Sequence, residues 1–236
     1  MPSSLSDACD LLLVDARQLA RVDSRSSLVL LQPTDFQLQG SDRVVITGPS
    51  GSGKSVLLRT LALLEAPSAG EVLWRGQPIP KAEVPRYRSR VSYLAQRPAV
   101  LEGTVEDNLR YPYSLKAFKG LEFDQARVLA LLAQAGKNAG FLGKPAAELS
   151  GGEAQIMALI RMLQLDPQVL LLDEPTAALD PASVTEVENL VQAWFANESG
   201  GLRAYVWVTH DPEQAQRMSS IRMGMKAGVL TQLAAS

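Results

Sequence analysis

The sequence predicts an α/β fold whose core is a mainly parallel sheet. Three short runs are apolar at every position, as in strands buried on both faces: Val44–Ile46, Val169–Leu172 and Val206–Val208. A turn signal and then a stretch with helical spacing follow each run, which is typical of strands that alternate with helices. We therefore expect a layered α/β core built on these three strands.

The stretches before the first core strand predict a smaller antiparallel side sheet. Leu11–Val14, Leu28–Leu31 and Phe36–Leu38 have the length and apolar content of short strands. Pro67–Gly70 is a turn signal, and Glu71–Trp74 after it predicts a further strand. These elements are expected to flank the core sheet.

A mostly helical region is predicted between the first and second halves of the core. Thr104–Asp107 resembles a capped helix start, and Phe123–Gln134 carries helical apolar spacing. We expect a helical subdomain over residues 97–164, set in a core formed by residues 1–96 and 165–236. A chain of 236 residues fits one such domain, over residues 1–236.

Composition limits the classes of function. A net charge of −2 gives no basic footprint for nucleic acid, which argues against a DNA-repair role. The longest apolar runs are far shorter than the ~20 residues that a transmembrane helix needs. Met1–Asp10 lacks the basic start of a signal peptide, and Cys9, the single cysteine, suggests a reducing compartment. We expect any membrane role to depend on a partner protein.

A complete phosphate-binding motif, G-x-x-x-x-G-K-S, runs from Gly48 to Ser55. Its glycines let the backbone wrap around phosphate oxygens, Lys54 would neutralise the β- and γ-phosphates, and the Ser55 hydroxyl would ligate Mg²⁺. The alternative is a chance glycine-rich turn, but the motif lies between a strand and the helical run Val56–Leu64. The residues expected to contact ATP here are Gly48, Pro49, Ser50, Gly51, Ser52, Gly53, Lys54, Ser55 and Val56.

Two carboxylates, Asp173 and Glu174, follow an apolar strand. Carboxyl ends of parallel strands border the crevice where ligands bind. Asp173 would then hold Mg²⁺, and Glu174 would act as general base on the attacking water. The alternative is that the two acids only cap a helix.

A second glycine turn, Leu149–Glu153, precedes a helical pattern. Ser150 is a good N-cap, so a plain capped helix is one reading. The other is a second phosphate-binding helix start, formed by the Ser150 hydroxyl and the amides of Gly151 and Gly152. This stretch resembles LSGGQ, the signature of the ABC ATPase family, with Glu153 in place of glutamine. In that family the signature of one subunit closes on the ATP held by another, so the resemblance implies a head-to-tail dimer.

Further family elements occur in the expected order. By resemblance, Gln96 is the Q-loop residue at Mg²⁺ and the attacking water, Asp180 belongs to the D-loop at the dimer interface, and His210 is the switch histidine at the γ-phosphate. Each has a structural alternative, because Gln96 could be a solvated loop residue and His210 a structural histidine. Asp180, followed by Pro181, also has the pattern of an N-cap.

The chain departs from the family pattern at positions near the nucleotide. No aromatic residue lies in the window 17–23, where the family usually has one to stack on adenine, although the guanidinium of Arg21 could cover the base. Val56 replaces the usual threonine, and Ile156 stands where arginine is common. None of these departures removes a catalytic group, but how adenine is recognised stays open.

Two segments, Val91–Leu109 and Glu148–Asp180, look most like the ATPase of the bacterial Fet-type or Ybb-type exporter. That resemblance implies an ATP-hydrolysing subunit on the cytoplasmic face of the inner membrane, held there by a separate permease. It also implies iron export, with no direct contact between this chain and the cargo and no nucleic acid partner. Importer ATPases of the phosphate or amino-acid type, and a soluble ABC ATPase without a permease, remain alternatives.

Overall fold

The computed structural model describes residues 11–197 and 201–234, so Cys9 and the N-terminal segment discussed above lie outside the described residues. Within these ranges the strands are β1 (Leu12–Val22), β2 (Val29–Gln39), β3 (Arg43–Thr47), β4 (Ala69–Trp74), β5 (Gln77–Pro78), β6 (Val91–Leu94), β7 (Val169–Asp173), β8 (Ala204–Val208), β9 (Ile221–Lys226) and β10 (Val229–Gln232). The α-helices are α1 (Lys54–Leu61), α2 (Val84–Arg90), α3 (Val105–Arg110), α4 (Gln125–Gln134), α5 (Gly151–Leu163), α6 (Pro181–Ala196) and α7 (Pro212–Met218).

The core sheet confirms the predicted α/β fold class. Its six strands have the order β10-β9-β3-β8-β7-β6. Strand β3 pairs in parallel with both β8 and β9, and β7 pairs in parallel with β8, while β10 is antiparallel to β9. Side chains such as Ile46, Leu172 and Val208 are fully buried, as expected for strands covered on both faces.

A second, four-stranded antiparallel sheet has the order β2-β1-β4-β5. Its strands β1 and β2 are each 11 residues long, longer than the short runs that the sequence indicates. The pairing register of β1 shifts between Ala16 and Leu19, and Gln18 has a φ of 48°. A bulge of this kind interrupts the alternation of buried and exposed residues, so the pattern does not show one continuous strand.

The helix after the phosphate-binding motif begins two residues earlier, and ends three residues earlier, than the apolar run Val56–Leu64 indicates. It covers Lys54–Leu61, and Leu63 lies in the left-handed region with a φ of 54°. An L-residue in that conformation cannot continue a right-handed helix, so the chain turns there.

The described residues divide into two compact units. The first takes in the described parts of residues 1–93, 168–173 and 201–236, and the second those of residues 94–167 and 174–200. The second unit contains helices α3 to α6, with α5 packed against α3 and α6. The boundaries of the single domain inferred from the sequence stay a prediction. Among the described residues, no helix combines the length and the hydropathy needed to cross a membrane.

Candidate nucleotide site

The phosphate-binding motif forms the loop between β3 and α1, as the sequence indicates. Gly48 has a φ of 151°, and a Cβ atom there would lie 2.1 Å from the carbonyl oxygen of Met225. Gly53 is the N-cap of α1 with a φ of 108°. The backbone amide of Gly228 donates to the carbonyl oxygen of Ser52 at 2.8 Å, so the β9–β10 hairpin holds the loop from the other side. Side chains larger than hydrogen would not fit this path at position 48.

Two polar side chains of this loop, Ser52 and Lys54, are buried. Lys54 is 5% exposed, and its Nζ donates to the carbonyl oxygens of Gly48 at 2.8 Å and Pro49 at 2.9 Å. The Ser52 hydroxyl is buried and has no hydrogen-bond partner among the described residues. A buried polar group without a partner costs free energy, and a phosphate oxygen would satisfy it. The loop therefore fits a nucleotide phosphate group.

Asp173, at the end of β7, is 4% exposed and is held through both of its carboxylate oxygens. The Ser55 hydroxyl donates to Oδ1 at 2.9 Å, and the Tyr93 hydroxyl donates to Oδ2 at 2.8 Å. Burial, followed by the negative charge of Asp173, raises the pKa of Tyr93 well above its usual value, so Tyr93 stays protonated as a donor. This trio connects the phosphate loop to the strand-end carboxylate.

The donor atoms here suit Mg²⁺, which prefers hard oxygen ligands and keeps several waters and substrate phosphates. Ser55 and Asp173 offer a hydroxyl and a carboxylate in contact with each other. Nowhere in the described ranges do three or more His, Cys, Asp or Glu side chains gather as a metal site.

Glu174 and Gln96 lie together in the second unit. The amide Nε2 of Gln96 donates to Oε2 of Glu174 at 3.0 Å. Glu174 is half-buried and has a φ of 49°, in the left-handed region that non-glycine residues rarely adopt. Strained backbone of this kind is found at functional sites more often than elsewhere.

Ser150 caps α5 in a reciprocal capping box. Its hydroxyl accepts from the backbone amide of Glu153 at 3.2 Å, and Oε2 of Glu153 accepts from the amide of Ser150 at 2.9 Å. Lys144 donates to the same carboxylate at 2.7 Å, and this contact with Lys144 lowers the pKa of Glu153 most strongly. Gly151 is exposed, whereas a Cβ on Gly152 would lie 2.4 Å from the hydroxyl of Ser183. The cap explains Ser150 structurally and leaves the first amides of the helix for a ligand.

Asp180 is the N-cap of α6, with Pro181 at the first helical position. Its Oδ1 accepts from the amides of Ala182 at 3.0 Å and Ser183 at 3.1 Å. Hydrogen bonds from Ser183 are the main reason that the pKa of Asp180 is lowered. The structural alternative that the sequence offered for Asp180 is therefore present.

His210 follows β8 and is exposed, after the buried Thr209, whose amide donates to the carbonyl oxygen of Ile46. Since β3, β8 and β7 are adjacent parallel strands, their carboxyl ends lie at one edge of the sheet. The phosphate loop follows β3, His210 follows β8 closely, and Asp173 is the last residue of β7. The first unit thus brings these three together. Gln96, Ser150, Gly151, Gly152, Glu174 and Asp180 belong to the second unit.

Tyr93 is a site residue that sequence reasoning missed. It lies three positions before Gln96, in a stretch recognised for the glutamine alone. A tyrosine in a strand is usually a packing residue, and only the fold places its hydroxyl on Asp173. Arg21, considered for the adenine, instead contacts Glu65 at 3.5 Å and the carbonyl oxygen of Val22.

The family model described as ABC transporter matches residues 31–177, which is more than half of the chain. The chain belongs to the ABC transporter family. It is an ATP-binding subunit of that family and an ATPase, which confirms the family inferred from the signature stretch.

Similar proteins come from plants and bacteria. Protein STAR1 of Oryza sativa subsp. japonica is 39% identical over 220 residues, which are 93% of this chain and 62% of the rice protein. "Probable iron export ATP-binding protein FetA" of Escherichia coli (strain K12) is 37% identical over 81% of this chain and 83% of its own length. "Nickel import ATP-binding protein NikO" of Rhodobacter capsulatus is 36% identical over 84% of this chain and 80% of its own length.

A solved structure with a similar fold is the ATP-binding cassette MJ0796 in a dimeric post-hydrolysis state with ADP and Pi. It aligns with a TM-score of 0.81 and 25% identity, covering 95% of this chain and all of that one. The likeness supports the assignment of the phosphate loop and both sheets to an ABC cassette, and it extends over nearly the whole chain.

Proposed function

We propose that this chain hydrolyses MgATP as one member of a closed pair of cassettes and thereby drives a separate membrane permease. The observation that carries the proposal is the contact between Ser55 and Asp173, which joins the phosphate loop to the strand-end carboxylate. That contact is the arrangement expected where a divalent cation is held beside nucleotide phosphates. The MJ0796 cassette, which is dimeric with ADP and Pi, supports the pairing.

Each site residue has a proposed role. Lys54 and the amides of the loop bind the phosphates, and Ser55, Asp173 and Gln96 hold Mg²⁺, which neutralises charge on the phosphates when it is bound. Glu174 accepts the proton of the attacking water, and Gln96 orients Glu174 and that water. His210 contacts the γ-phosphate. Ser150, Gly151 and Gly152 of the partner cover the same phosphate, with Asp180 at the interface.

Replacement of Glu174 by glutamine tests the general base. Glu174→Gln keeps the size and the contact with Gln96 but cannot accept the proton, so we expect turnover to fall on the order of 100-fold or more while ATP still binds. Steady-state phosphate release and equilibrium ATP binding measure the two effects. Glu102→Gln, the same change at an exposed position of the second unit, should leave both unchanged. Equal turnover in Glu174→Gln and wild type would exclude Glu174 as the base.

For the transported substrate we propose iron, moved outward by a permease that holds this subunit on the cytoplasmic side of the membrane. The similarity to the Escherichia coli protein named for iron export supports this choice. We expect the chain itself to make no contact with the cargo. The relative named for nickel import makes metal import the second candidate.

Cells that express the chain with its permease can distinguish the two directions. Export predicts faster loss of preloaded radioactive iron with wild type than with Glu174→Gln, and no effect on nickel uptake. The reverse pattern, in which only nickel uptake depends on Glu174, would contradict iron export and favour import.

A further inference from the structure

We propose that Tyr93 is a positioning residue for the metal-binding carboxylate of Asp173, and that its hydroxyl sets the affinity of the site for the divalent cation. The inference rests on the proposed function, because it assigns Asp173 to Mg²⁺. It concerns a residue outside the phosphate loop and outside the carboxylate pair itself.

The Asp173 carboxylate is held at both of its oxygens. Tyr93 is on β6 and Asp173 ends β7, and the hydroxyl donates to Oδ2 at 2.8 Å. Ser55 donates to Oδ1 at 2.9 Å, so each oxygen has its own donor. A carboxylate held through both oxygens cannot rotate about its terminal bond without losing a hydrogen bond. The remaining lone pairs therefore have a fixed direction before any cation arrives.

The surroundings of the Tyr93 hydroxyl determine the direction of its proton. Arg59, one helical turn after Ser55 on α1, interacts with the Tyr93 hydroxyl, and its Nε donates to Oε1 of Glu65 at 2.6 Å. A guanidinium has only donors and cannot accept the hydroxyl proton, so that proton is directed to Asp173, whose Oδ2 accepts it at 2.8 Å. Burial lowers the pKa of Arg59, but the contacts with Glu65 and Tyr93 outweigh burial and raise it, which keeps the cation charged.

Loss of the Tyr93 hydroxyl would cost Asp173 a hydrogen bond. Asp173 is 4% exposed, so water cannot easily replace the tyrosine hydroxyl at Oδ2. A phenylalanine at position 93 would fill the same space but leave that oxygen without its partner. Outer-shell partners of metal ligands typically change metal affinity on the order of tenfold or more when they are removed.

The test compares Tyr93→Phe with Tyr87→Phe. Tyr87 is a second tyrosine of the first unit. It is buried, and its hydroxyl donates to the carbonyl oxygen of Leu61 at 2.6 Å, so the control removes a hydrogen-bonded hydroxyl that does not contact Asp173. The probe is Mn²⁺, whose free and bound forms are counted by electron paramagnetic resonance, in the presence of a non-hydrolysable ATP analogue. Nucleotide binding without metal is measured alongside.

We expect the Mn²⁺ dissociation constant of Tyr93→Phe to rise on the order of tenfold, with metal-free nucleotide binding unchanged. Tyr87→Phe should stay within about twofold of wild type in both measurements. Equal Mn²⁺ affinity in the two variants would overturn the proposal, as would a loss of metal-free nucleotide binding in Tyr93→Phe alone. If the proposed catalytic function were wrong, the result would be different. Glu174→Gln would then turn over ATP normally, while Tyr93→Phe would still show the raised Mn²⁺ dissociation constant. Absence of Mn²⁺ binding by wild type would contradict both.

Discussion

Single residues of the candidate site are held by hydrogen bonds that each satisfy a buried or helix-terminal group. Ser55 and Tyr93 satisfy the Asp173 carboxylate, and Lys54 donates to carbonyl oxygens of its own loop. Lys54 would exchange these partners for phosphate oxygens when a nucleotide binds. The arrangement of these residues suits the binding of an anion and a small hard cation.

Glu153 gives a residue-scale prediction about pH. Lys144 holds the pKa of the Glu153 carboxyl below its ordinary value of 4.5. Because the folded pKa is depressed, its stabilisation is fully present above about pH 4.5 and is lost as pH falls through the lowered value. At pH 7, Glu153→Gln should therefore lose at most about 1 kcal/mol of unfolding free energy, since the pair is partly solvated and glutamine keeps the capping box.

Urea unfolding at a series of pH values measures that difference. We expect the difference in unfolding free energy between wild type and Glu153→Gln to narrow as pH falls below 4.5. Glu148→Gln removes a nearby exposed carboxylate that makes no ion pair within the described part of the chain. The difference in unfolding free energy between wild type and Glu148→Gln should therefore not narrow below pH 4.5. A gap that widens at low pH would contradict the role of Lys144.

At the scale of elements, the packing of α5 on α6 depends on a glycine. A Cβ on Gly152 would lie 2.4 Å from Oγ and 2.8 Å from Cβ of Ser183, whereas a Cβ on Gly151 would meet nothing within 4 Å. We expect Gly152→Ala to destabilise the protein by about 1–3 kcal/mol, as overpacking does. Gly151→Ala should be nearly neutral, and chemical denaturation compares the two. Equal stability of the two variants would show that α5 and α6 do not pack as described.

The core strands and the helix starts could be predicted from the sequence, whereas contacts between distant segments could not. The runs Val44–Ile46, Val169–Leu172 and Val206–Val208 within three core strands are apolar at every position, so local chemistry alone marks them. The helix starts are marked in the same way by their caps, Thr104, Asp124, Ser150 and Asp180. The bulge in β1 was not predictable, because it depends on pairing with β2 and β4. The contact between Tyr93 and Asp173 was also missed, since it joins residues 80 positions apart.

At the scale of the whole molecule, the site residues belong to two compact units, and the signature residues are proposed to act on the nucleotide of a second copy. Gln96 and Glu174 meet within one unit, and Ser55 and Asp173 within the other. Composite sites of this kind make turnover depend on pairing of two chains. The central claim is therefore that ATP closes two copies together through the residues from Ser150 to Gly152.

The most direct test is the molar mass of Glu174→Gln in solution, measured by light scattering with and without ATP. The account predicts the monomer mass of 25.5 kDa without nucleotide and twice that mass with ATP. Adding Ser150→Arg to the same variant should abolish the ATP-dependent dimer while ATP binding to the monomer remains measurable. A Glu174→Gln variant that binds ATP and stays at the monomer mass, or a dimer unaffected by Ser150→Arg, would contradict the account.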